Sequence, residues 1–192
     1  MLSPMIAILE SPDVRQRAQP ITVETYHWMR EQGLLSPRAE LIRGVIIEKM
    51  SKSSLHEYLT AELRDRLVAA LGSGWIVRKE GPVTLRDSEP EPDVSVVRGK
   101  NSDFIHSHPR TATLAVEIAV SSEGTDREMI LAYAEAGVPE CWLVLAKSRV
   151  VEVFTDPHEG TYRTHRRLTA QDTLVSSALP GVTLEIASLF PE

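Results

Sequence analysis

The sequence has little that would mark an exported, membrane-bound or zinc-dependent protein. A single cysteine, Cys141, excludes an intramolecular disulfide, and no Cys/His group has zinc spacing, which fits a reducing compartment. No apolar run approaches the roughly 18 residues of a membrane span, and no basic signal-type segment opens the chain, so the expected location is the cytoplasm, with no membrane partner. There is no Gly-rich phosphate loop, nucleophile elbow or dinucleotide fingerprint, and no repeat or low-complexity segment. Nor is there an excess of positive charge: a net charge of -6 argues against a surface coated for indiscriminate nucleic-acid binding. Local basic clusters do occur, at Lys49 with Lys52, at Arg78-Lys79 and at Arg163–Arg167, and each reads first as a solvated face.

What is present fits one α/β domain. The 192 residues divide into an irregular arm, residues 1–20 with Pro4, Pro12 and Pro20, and a single domain over residues 21–192. Thr22 is placed to cap a helix over Val23 to Leu35. Ala39 to Met50 reads as a hairpin that turns at Arg43-Gly44. Leu55, Leu59, Leu63, Leu67 and Leu71 recur at steps of four, predicting a helix from Ser54 to Leu71 with His56 in its first turn. Strands are expected at Trp75–Arg78, Pro82–Leu85, Glu89–Val97, Leu114–Val120, Cys141–Leu145, Val150–Phe154 and Tyr162–Leu168. A loop is expected over 98–110, a turn at Ser121-Ser122 and a helix from Thr125 to Ala136. The sum is a central sheet flanked by helices, with additional hairpins.

Two of these apolar runs carry an acid, Asp93 in one and Glu117 in the other. A carboxylate in a strand buried on both faces must be paired, protonated or bound to a cation, because its bare charge is costly to desolvate. The alternative is that one or both lie on a solvated face of an alternating strand. As hard oxygen donors on neighbouring strands, Asp93 and Glu117 suit Mg²⁺ or Mn²⁺ better than zinc. Glu40 and His56 are the acid and imidazole that the hairpin and the helix start would bring near; alone, each reads as a surface group or a helix-start contact.

Pro92-Asp93, then Val116-Glu117-Ile118, then a helix with an acid near its start resembles the PD-(D/E)xK nuclease superfamily. More closely, the ordered pieces Glu40-Leu41-Ile42-Arg43-Gly44, Met50-Ser51, His56, Glu89 to Asp93, Glu117, Ser121-Ser122, Asp126-Arg127 and Tyr133 to Trp142 resemble the Uma-two family of restriction endonucleases, from about Pro20 to the C-terminus. The resemblance implies a restriction-endonuclease-like core with a mixed central sheet and a metal-dependent endonuclease acting on DNA. Asp93 and Glu117 would hold Mg²⁺ or Mn²⁺, Glu40 would complete the shell, and His56 would assist. Exposed strand edges and the arm suit a homodimer, which a double-strand cut would require.

One departure weakens that expectation. The superfamily places a lysine two residues after the second acid, where this chain has Ala119; the related family carries it on the following helix, where this chain has Met129. Lys49 and Lys79 are conceivable substitutes, while Arg127 lies about 200° around a helix from Met129. Loss of one preorganised charge stabiliser costs roughly a hundred- to a thousandfold in rate. A second reading is therefore a catalytically silent protein of the same fold that binds nucleic acid or a protein partner. A small-molecule hydrolase or lyase using the same metal is a third.

Overall fold

The computed structural model describes residues 11–120 and 123–190. Its centre is a six-stranded sheet in the order β3-β4-β5-β6-β7-β8, formed by β3 (Trp75–Lys79), β4 (Val94–Arg98), β5 (Leu114–Ala119), β6 (Glu140–Leu145), β7 (Val150–His158) and β8 (Thr161–Leu168). Only β5 and β6 pair in parallel, so the chain must cross over between them, and it does so through α4 (Glu123–Glu135). The other pairs in this sheet are antiparallel.

Both faces of the sheet are covered, which explains why β5 and β6 are buried throughout. Alternation along β5 assigns the faces. Leu114, Val116 and Ile118 join Leu59, Leu63 and Leu67 of α3 (Ser54–Ala70) and the C-terminal Leu174, Leu179 and Leu184. Ala115 and Ala119 join Met129, Ile130 and Tyr133 of α4 on the other face. Glu117 shares the parity of those two alanines, so its carboxylate points into the α4 side.

A second small sheet flanks this core. Its strands β1 (Ala39–Ile42) and β2 (Val45–Glu48) turn at Arg43 and Gly44, whose φ values of 49° and 74° match a two-residue hairpin of the primed type. A Cβ on Gly44 would collide with the Pro20 side chain, and Ile21 N–H donates to Gly44 O, so the hairpin tip docks the chain that enters α2 (Val23–Glu31). The Thr22 side chain caps α2 as expected. β9 (Thr173–Val175), β10 (Thr183–Glu185) and the short α5 (Ile186–Leu189) close the chain against the α3 face.

Several expectations need correction. The arm is not wholly irregular: Pro12–Arg17 forms a short helix, α1, with proline in its first turn, where a missing N–H costs nothing. Residues 1–10 and the expected turn at Ser121-Ser122 lie outside the described residues. Helix α2 stops at Glu31, not Leu35, ahead of Gly33 at φ 67°. Pro82–Leu85 is not a strand: the N–H groups of Val83 and Leu85 donate to Pro90 and Ser88 on one segment, while that of Thr84 donates to Pro109 on another. Pro90 and Pro92 have no N–H to give, so β4 begins at Val94, and Asp93 stands at its threshold rather than within it. Within 98–110 a 3₁₀ turn forms at Asn101–Phe104.

Candidate functional site

The β4–β5 register pairs Val94 with Val116, so its next step sets Asp93 opposite Glu117. With the ladder ended, the Asp93 side chain takes over a backbone partner: Ile118 N–H donates to Oδ2 at 2.8 Å. A lysine and an imidazole complete its surroundings. Lys52 Nζ lies 2.9 Å from Oδ1, and His56 Nε2 lies 3.0 Å from Oδ2. His56 is brought there by the start of α3, where its N–H donates to the capping Ser53 hydroxyl. Burial works to raise the Asp93 pKa, but His56 and Lys52 outweigh it and hold the carboxyl below its ordinary value.

Glu117 behaves in the opposite way. Burial, then the charge of Asp93, push its pKa well above the ordinary value; Asp126 and Glu40 act in the same sense. The Tyr133 hydroxyl donates to Glu117 Oε1 at 2.6 Å and only partly offsets this. The pair thus divides into an ionised Asp93 and a Glu117 that resists ionisation.

Glu40 enters from β1. Its Oε1 accepts from Glu91 N–H at 2.6 Å, a donor isolated between Pro90 and Pro92, and lies 3.0 Å from Lys49 Nζ. Burial raises the Glu40 pKa against the opposing pull of Lys49. Lys49 also reaches Glu91, through both the backbone oxygen and the carboxylate, and Lys52 reaches Glu80. These groups line one cavity of about 150 Å³, which holds Glu40, Lys49, Lys52, His56, Glu91, Asp93, Glu117, Asp126 and Met129 on its walls.

The cavity therefore brings together all four expected residues, Glu40, His56, Asp93 and Glu117. None lies on a solvated strand face: each is less than 9% exposed. Lys79 stays away, pairing with Glu57 and Glu80. Ala119 is a core residue, and Met129 both packs with Ile130 and Tyr133 and forms cavity wall. Lys49 and Lys52 bring positive charge to the cavity wall; they are not solvated as their cluster suggested but about one-fifth exposed. Their only sequence signal is position, on either side of Met50-Ser51 between the hairpin and the α3 cap.

Among the described residues, no three acidic, imidazole or thiol groups stand as a ready-made metal cage. Lysine ammoniums and N–H donors engage the oxygens of Asp93 and Glu40. The donor chemistry nevertheless fits a hard divalent cation. Asp93 and Glu40 both add to the cost of ionising the buried Glu117, and a cation among the three carboxylates would relieve that repulsion.

A six-stranded mixed sheet between helices, with carboxylates converging where β4 and β5 meet, defines a restriction-endonuclease-like α/β protein. The fold is similar to a solved structure from Anabaena variabilis described as a "putative nuclease belonging to DUF820", with a TM-score of 0.72, 20% sequence identity, and coverage of 89% of this chain and 98% of that one. The Uma2 family, described as "Putative restriction endonuclease", matches residues 23–187, and the chain belongs to that family. No curated protein matches it. Among the described residues no helix is long and apolar enough to cross a membrane.

Proposed function

We propose that this chain is a divalent-metal-dependent endonuclease that hydrolyses DNA phosphodiester bonds. The observation that carries the reading is the convergence of Asp93, Glu117 and Glu40 with Lys49, Lys52 and His56 on one cavity. The three carboxylates would hold Mg²⁺ or Mn²⁺. Such an ion, when bound, supplies water activation and neutralises charge on the phosphate. Lys49 and Lys52 provide the preorganised positive charge that Ala119 and Met129 do not, at a position where charge on the phosphate grows during attack. His56 and Ile118 N–H fix the Asp93 carboxylate in place. A double-strand cut needs two such cavities, and we infer that two chains act together on one duplex.

Plasmid nicking with Mg²⁺ or Mn²⁺ tests this. Wild type should cleave, Glu117→Ala should not, and Lys52→Met should lose about a hundred- to a thousandfold in kcat while binding the metal more tightly, since the ammonium no longer competes for Asp93. Met129→Lys should bring no gain, because the cavity already has its cations. Equal activity in wild type and Glu117→Ala would reject the reading.

The alternative is a catalytically silent member of the fold that binds nucleic acid or a protein. Lysines seated on Asp93 and Glu40, in the absence of a ready-made cage, favour it. Duplex binding by wild type without cleavage under either metal would select it.

A further inference from the structure

Glu80 combines two costs in one residue. Its φ of 50° puts a glutamate in the left-handed region, which side chains other than glycine rarely adopt. Arg43, Arg149 and Glu159 share such angles, but each lies in a hairpin turn, whereas Glu80 follows the last residue of β3. Its Oε1 is also buried with no hydrogen bond among the described residues. Backbone strain gathers at functional sites, and an unsatisfied buried oxygen asks for its own explanation.

The sheet register brings this residue to the candidate site. β3 and β4 pair Lys79 with Val94, so the next step sets Glu80 opposite Asp93, and Glu80 N–H donates to Asp93 O at 3.2 Å. Asp93 in turn stands opposite Glu117, so Glu80, Asp93 and Glu117 form a row across the sheet, at steps of about 5 Å.

The Lys52 ammonium lies between the first two of these acids. It donates to Asp93 Oδ1 at 2.9 Å and stands 3.1 Å from Glu80 Oε1, in a charge contact too poorly aligned for a hydrogen bond. The other cation near that oxygen, Lys79 at 3.6 Å, is held by Glu57 of α3 at 2.7 Å. A divalent cation on Asp93 would meet the ammonium on the same carboxylate, and the two positive charges would repel. Glu80 offers Lys52 a second partner. Re-aiming one N–H toward Oε1, already within hydrogen-bond distance, would satisfy the orphaned oxygen and release Asp93, while the lysine stays on the cavity wall.

We infer that Glu80 is a positioning residue, the second acceptor to which Lys52 transfers its hydrogen bond when Asp93, Glu117 and Glu40 take up a divalent cation. The inference rests on the metal-dependent reading above and adds an exchange of partners at Lys52. The ammonium guards Asp93 in the metal-free chain and, once moved to Glu80, keeps its charge beside the phosphate.

Mn²⁺ affinity, read from the electron paramagnetic resonance signal of the free ion in the absence of DNA, tests the exchange without catalysis. Glu80→Gln keeps the length of the side chain but removes the charge that receives the ammonium, so Mn²⁺ should bind roughly tenfold more weakly, the scale of one hydrogen bond to a charged group. Lys52→Met should bind Mn²⁺ more tightly than wild type. Adding Glu80→Gln to Lys52→Met should then change the Kd by less than about twofold, because no ammonium remains to be received. Mn²⁺ binding by that double variant also reports an intact cavity. Lys79→Met, the same charge change at the other neighbour of Glu80, should tighten binding far less than Lys52→Met. Equal weakening by Glu80→Gln with and without Lys52 would reduce Glu80 to a distant charge and overturn the exchange, as would wild-type affinity in Glu80→Gln or equal tightening by the two lysine variants. In any of these cases, Mn²⁺ bound by wild type and lost in Glu117→Ala leaves the metal-dependent reading standing; a wild type that binds no Mn²⁺ ends both.

Discussion

Replacing Glu117 with glutamine separates the charge of this side chain from its packing. The amide keeps an oxygen for the Tyr133 hydroxyl and removes the ionisation that burial and Asp93 oppose. Because the folded-state pKa lies above the ordinary 4.5, the contribution of Glu117 to stability is complete below that value and is lost as pH rises toward the folded one. Metal-free Glu117→Gln should therefore melt above wild type at about pH 7, with the gap closing as pH falls toward 4.5. Melting curves in EDTA across that range check the sign, and a gap that widens on acidification would contradict it. Asp93 has the opposite linkage: held below its ordinary 3.8, it stabilises the fold at neutral pH and stops doing so as pH falls through the folded value.

At the scale of elements, Glu140 shows how a buried carboxyl group can serve the fold instead of a reaction. It opens β6 fully buried, and its Oε1 accepts from Trp142 Nε1. Its Oε2 accepts from the N–H groups of Ser177 and Ala178 and from the hydroxyls of Ser176 and Ser177, tying the segment between β9 and β10 to the sheet. Glu140→Ala would strand two buried donors, Trp142 Nε1 and the Ser176 hydroxyl, beside three part-buried ones, and with roughly 1 kcal/mol or more for each buried donor the loss should be at least about 2 kcal/mol. Urea unfolding checks it, with the midpoint lowered at constant m-value. The sequence places Glu140 just ahead of its expected strand and Glu117 within one, yet the structure makes both single carboxylates in buried strands. Their surroundings differ: five N–H and O–H donors meet Glu140, whereas Glu117 has the Tyr133 hydroxyl and the neighbouring Asp93 and Glu40 carboxylates.

For the molecule as a whole, what could be read from the sequence follows physical range. The leucine period of α3, the apolar runs of β4 to β7 and the Arg43-Gly44 turn are local signals, and each element formed where it was expected, within a few residues. Asp93 and Glu117 were legible because an acid in a buried run demands an explanation. Lys52 was not, and Lys49 stood only beside Lys79 as a conceivable substitute, because a lysine after a hairpin reads as solvated unless tertiary structure carries it inward. Here the carrier is the bridge from β1 to the proline segment, where Glu89 N–H donates to Leu41 O and brings the hairpin against residues 89–93. The same long-range assembly couples the cavity to global stability, since its carboxylates come from β1, the threshold of β4 and β5 and meet only in the folded chain. An ion held there binds the native state alone and stabilises it by about 2.7 kcal/mol at a hundred times its Kd. For a chain of 192 residues that is about 5 to 11 °C in Tm. Titrating Mn²⁺ into wild type should produce this rise, larger at about pH 8 than at about pH 6, because binding must displace the Glu117 proton. Glu117→Ala should show little or none of it, and an equal rise in both proteins would place the ion somewhere other than this cavity.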